Sequence, residues 1–170
     1  MALSLDEVLL NPDAAAVYLQ KSSAVFGVEA ATGCHGAMGA AILELKLLPL
    51  PALAADNYPI ERIRIVILSD LRVYSYPRGM PGREFLHRNF LPGSELCLQY
   101  DGDDPAMRWL PEDGLEPLVT LVHRHLMFEE YWRRTGRWPI EDAPHGPAPS
   151  GTTYPVRTER LRKELNRWVR

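Results

Sequence analysis

ILELKLL (residues 42–48) alternates without a break: Leu43, Leu45 and Leu47 fall on one face, Glu44 and Lys46 on the other. A period of two is the side-chain period of a strand with one face buried. IERIRIVIL (60–68) repeats the pattern, setting Ile63, Ile65 and Ile67 against Arg62, Arg64 and Val66. The segment between them, PLPALAADNYP (49–59), is too long for a tight hairpin. RVYSY (72–76) reads as a third, short strand. PRGMPG (77–82) then punctuates the chain and predicts mostly loop as far as Cys97.

Helices flank these strands on both sides. Ser4 and Glu7 have the spacing of a capping box, which predicts a short opening helix. Asn11-Pro12 is an N-cap followed by Pro at the first helical position, starting a helix through Tyr18 and Leu19. ATGCHGAMGA (31–40) is a run of small residues that reads as a turn or an irregular strand entry. Further on, Leu115, Leu118, Val119, Val122 and Leu126 make one apolar face and predict a helix over about 115–135. Asp113 with Glu116, or Pro117 in the first turn, would start it, and Gly136 would end it. GRWPIEDAPHGPAPSG (136–151) is a Pro-rich loop, and a final basic helix is expected over about 157–169, with Leu161, Leu165, Trp168 and Val169 on one side. Strands grouped together and helices grouped together predict an α+β fold with a small antiparallel sheet.

Composition narrows the class. A chain of 170 residues, 46% hydrophobic, has the length and apolar content of one domain, 1–170. A formal charge of −3 argues against a protein that coats nucleic acid. No apolar run approaches the roughly 20 residues of a membrane span, and MALSLDEVLL (1–10) lacks the basic start of a signal peptide. Two cysteines, Cys34 and Cys97, make no disulfide framework, so a reducing, cytoplasmic location is expected.

HRNFLPGSELCL (87–98) carries the chemistry. A cysteine nucleophile needs a thiolate, access, and a donor for the oxyanion of its acyl intermediate. Cys97 lies among turn residues, Asn89 offers an amide donor, and His87 offers either a base or a loop support. His87, Asn89, Gly93, Cys97 and Leu98 together resemble the active-site stretch of ubiquitin-conjugating enzymes, the UBC superfamily. There a His-Pro-Asn tripeptide precedes the catalytic Cys, with the His ten positions upstream and a Leu directly after the Cys. Trp109 and the helix that follows it continue the likeness. The match is closest to the divergent bacterial branch found in antiphage (CBASS-type) operons beside cGAS-like nucleotidyltransferases, whose Trp-Pro…His-Gly segment is similar to GRWPIEDAPHG (136–146). Two departures stand out: Arg88 replaces the Pro, and DGDDPAM (101–107) is inserted between Cys97 and Trp109.

The resemblance implies a UBC-like fold: an N-terminal helix, a small antiparallel sheet, a long loop bearing the Cys, then C-terminal helices. Residues 1–40 would form a divergent helical part, and 147–170 a basic C-terminal helix. It also implies a transferase. Cys97 would accept the C-terminus of an acyl-donor protein as a thioester, the donor being a ubiquitin-like protein or a cGAS-like nucleotidyltransferase. An amine would then take the acyl group. Asn89 would stabilise the oxyanion, and His87 would support the loop rather than act as a base. Asp101, Asp103 and Asp104, or Glu141 and Asp142, are candidates for the carboxylate that helps the amine, and His145 lies in a loop placed to fold over the site. An activating enzyme is a further expected partner, although some short systems lack one. No cofactor is implied. The competing functions are a non-catalytic UBC-fold scaffold and a cysteine hydrolase using Cys97 with His87 or His145.

Other motifs carry less. Cys34-His35 has no second pair at zinc spacing, so no metal is expected. His123 and His125, two apart on a helix, point to different faces and read as one surface and one core histidine. GAMGA (36–40) lacks the Lys-Ser/Thr ending of a phosphate loop. The basic C-terminal helix reads as a solvated face before it reads as a docking surface.

Overall fold

The computed structural model describes residues 2–79, 82–88, 95–99 and 108–139. Two helices open the chain, α1 (Leu5–Leu10) and α2 (Pro12–Lys21). The Ser4 hydroxyl and the Glu7 carboxylate form the expected capping box, and the Asn11 side chain accepts the Ala14 N–H to start α2 behind Pro12. Four strands follow: β1 (Val28–His35), β2 (Ala41–Leu47), β3 (Glu61–Ile67) and β4 (Val73–Arg78). A short helix, α3 (Pro51–Ala55), interrupts the β2–β3 connection, and α4 (Leu115–Thr135) comes after the loop region. The strands pair antiparallel in the order β1-β2-β3-β4. The fold is therefore α+β: helices, a four-stranded meander, then a long helix.

The alternation in the sequence is the alternation of the sheet. Leu43 stands opposite Ile65 and Leu45 opposite Ile63, and all four side chains are buried. On the reverse face Glu44 stands opposite Arg64 and pairs with its guanidinium, and Lys46 reaches Glu29 at 2.7 Å. One face packs and one carries charge, as antiparallel sheets commonly arrange. The inner face meets α4, whose Leu115, Leu118, Val119, Val122 and Leu126 join the same core as Leu5, Val8 and Leu19. Each such side chain contributes about 1.5–3 kcal/mol on burial.

Three expectations need correction. The small-residue run at 31–40 is half strand and half turn, with β1 covering it to His35 and a single 3-10 turn following at Ala37–Gly39, and the helical part ends at Lys21. Only Ala31 in β1 is buried, so no apolar alternation announced the strand. His123 and His125 are both buried, His123 stacked on Phe26 and His125 turned toward Glu129. Asp113 does not cap α4, whose N-cap is Gly114; its carboxylate instead accepts the Leu110 N–H in the preceding turn, while Pro117 stands in the first turn as expected. Gly136 ends the helix as expected, in the left-handed conformation (φ 69°) that favours glycine. The basic helix expected at 157–169 lies outside the described residues.

Candidate active site

The segment carrying Cys97 docks on the outer edge of β4. The Leu96 N–H donates to the Ser75 carbonyl at 2.8 Å. That bond turns the Ser75 backbone out of the sheet, and alternation turns Pro77 the same way. The missing Pro77 N–H therefore costs the β3–β4 ladder nothing, which is how a proline fits an edge strand. Arg88 pairs with Leu96 as an isolated antiparallel bridge, and the Cys97 N–H donates to the His87 carbonyl at 2.9 Å. The two ends of the sequence motif, ten residues apart, are thus joined through their backbones.

The Cys97 side chain is half-buried, and its thiol lies 3.7 Å from the Gln99 carbonyl. It faces a groove of about 550 Å³ walled by Val73, Tyr74, Leu96, Leu98, Trp109 and Leu121. Burial pushes the Tyr74 phenol up, so it stays a neutral hydrogen-bonding group. The Gln99 amide clasps the far side: its Nε2 donates to the Trp109 carbonyl at 3.2 Å and its Oε1 accepts the Trp109 N–H at 3.0 Å. Trp109 is fixed in turn by its indole N–H on the Gly114 carbonyl at 3.0 Å. A second hollow of about 620 Å³ shares Trp109 and Leu121 with this groove and is lined further by Tyr18, Arg108, Glu116 and Arg124. Among its lining residues there is no cysteine.

The His87 ring is only 4% exposed and packs against Trp138, with ring centroids 3.8 Å apart, and edge-on to His125. The Glu129 carboxylate lies beneath it and accepts the backbone N–H of both Leu86 (2.8 Å) and His87 (2.7 Å). Burial alone would push Glu129 up, but the His125 imidazole 3.4 Å away and the two backbone N–H groups outweigh it and hold the carboxyl below its usual range. The loop entering this region is anchored as well. Arg83 makes two bonds of 2.5 Å to Glu61 and one of 2.8 Å to Glu130, while the guanidiniums of Arg83, Arg88 and Arg133 surround the Phe85 ring.

Of the candidate residues, Cys97 and His87 are brought together. Asn89, Asp101, Asp103, Asp104, Glu141, Asp142 and His145 lie outside the described residues. Cys34 is exposed on β1. Glu129 and Gln99 complete the surroundings of Cys97 and His87 without having been singled out in the sequence, and Trp138 belongs to the Trp-Pro pair of GRWPIEDAPHG (136–146). A signal existed for Glu129: it lies three residues beyond Leu126 on the buried stripe that includes Val122, where a carboxylate is out of place. Among the described residues no helix is long and apolar enough to cross a membrane. No family model, curated protein or solved structure matches the chain.

Proposed function

We propose that this chain is a ubiquitin-conjugating-like cysteine transferase that carries an acyl group on Cys97. The observation that carries the reading is the Cys97–His87 backbone pairing, which holds a half-buried thiol at the wall of an open groove. The spacing of HRNFLPGSELCL (87–98) supports it, as does the order of helices, four-stranded meander, cysteine segment and long helix. The His87 ring is committed to packing, which favours support of the loop over the base of a hydrolase.

In the proposed reaction the Cys97 thiolate attacks the activated C-terminal carbonyl of a donor protein and expels the activating group. An amine then attacks the thioester carbonyl, Cys97 leaves as thiolate, and the amine nitrogen loses its proton. Each addition passes through an oxyanion. Asn89 is the proposed donor to it, and one such donor is typically worth about 2.7–4 kcal/mol. The donor is proposed to be a ubiquitin-like protein or a cGAS-like nucleotidyltransferase in bacterial antiphage defence, with an activating enzyme supplying the leaving group.

Cys97→Ala is expected to abolish a thiol-sensitive adduct while leaving the circular dichroism spectrum and melting temperature close to those of the wild type. Conjugation that persists in Cys97→Ala would mean that another group carries the acyl chain.

A further inference from the structure

The backbone of the cysteine segment is held from a single point deep in α4. Glu129 is fully buried (0% exposed), on the same stripe as Val122 and Leu126. Its Oε1 accepts the His87 N–H and its Oε2 the Leu86 N–H. The carbonyl of His87 accepts the Cys97 N–H. Two hydrogen bonds in series therefore join a buried carboxylate to the cysteine backbone across 42 residues from Glu129 to His87.

The carboxylate is costly where it stands. An apolar side chain at this position would continue the stripe, whereas a buried charge destabilises unless its lone pairs are filled. The cationic and titratable groups around it are farther off than the backbone donors: His125 Nε2 at 3.4 Å, His87 Nδ1 at 3.8 Å and Arg133 Nη1 at 3.9 Å, with Arg88 adding a favourable field. The shortest bonds go to the loop backbone, and they are charge-assisted, the stronger kind. The loop is where the carboxylate has its effect.

We propose that Glu129 is a positioning residue for Cys97, fixing the thiol through the Leu86–His87 backbone; the inference rests on the reading of Cys97 as acyl carrier. A rigid helix of 21 residues thereby sets the height and direction of a side chain carried on a loop. Glu129 touches no reacting atom and acts only through the Leu86–His87 backbone.

The test uses the full chain with Cys34→Ser, so that Cys97 is the sole thiol. Iodoacetamide alkylation is followed by intact mass across about pH 6–9, the range over which a thiol titrates. Amide hydrogen exchange is read at residues 86, 87 and 97. Glu129→Gln removes one of two acceptors, and exchange at the three amides is expected to rise about tenfold, the factor that corresponds to one lost charge-assisted bond. Protection at Val119 and Val122 should hold, and the pH–rate curve of alkylation should move. Glu129→Asp, which keeps the charge but is one methylene shorter, should fall between. Unchanged exchange at Cys97 with an unchanged alkylation curve would overturn the proposal. So would wild-type protein in which the Cys97 amide opens independently of His87, a result that needs no variant to fold. Absence of any thioester on wild-type Cys97 would instead sink the transferase reading and leave these measurements standing.

Discussion

At the scale of single residues, the candidate site pairs a half-buried thiol with a buried carboxylate anchor. Cys97 keeps its thiol at a groove, while His87 and Glu129 turn inward. Glu129 also sets a pH dependence. Its folded-state carboxyl is held below the ordinary value of 4.5, so its contribution to stability is fully present above that value and is lost as pH falls through the depressed one. Wild type is therefore expected to be about 1–3 kcal/mol more stable than Glu129→Gln at neutral pH, the range for leaving buried donors unsatisfied. Denaturant unfolding at stepped pH checks this: the gap should close in acid, and a gap constant from neutral pH to strong acid would contradict the assignment. The sequence made Cys97 and His87 visible because they are close in the chain and of reactive types. It hid Glu129, since a carboxylate on a helix normally faces water and this one earns its place only through contacts 42 and 43 residues away.

At the scale of elements, legibility followed burial. Residues 42–48 and 60–68 announced β2 and β3 because one whole face of each is in the core. β1 was harder to see because α2 lies across it and needs small residues beneath. A Cβ on Gly33 would come within 1.9 Å of the Pro12 carbonyl oxygen, a backbone atom that cannot swing aside. Gly33→Ala is thus expected to destabilise by about 1–3 kcal/mol or more through overpacking. A melting curve unchanged by that substitution would show that α2 does not seat on β1 in this way. The Gln99 clasp belongs to the same scale. Gln99→Ala removes both bonds to the Trp109 backbone and is expected to speed exchange of the Trp109 amide and broaden its indole resonance, with little change in overall stability. An equally protected Trp109 amide in the variant would mean that the groove wall is held by Gly114 and packing alone.

At the scale of the whole molecule, the sheet and α4 form one core, and the cysteine segment is bonded to both. Leu96 hangs on β4, His87 hangs on α4, and Cys97 hangs on His87. The two described ends of the segment, at 86–88 and 95–97, are thus fastened to a packed scaffold, which would suit the proposed acyl carrier. In the proposed reaction this thiol carries an acyl group. The most direct measurement is intact mass, with a non-reducing gel run with and without thiol, on wild type and Cys97→Ala co-expressed with the neighbouring genes of its own genome. An adduct that needs Cys97 and is released by thiol is expected, its added mass equal to that of a donor protein less one water. A neighbour that co-purifies equally well with Cys97→Ala, with no adduct on either form, would contradict it and make the chain a scaffold.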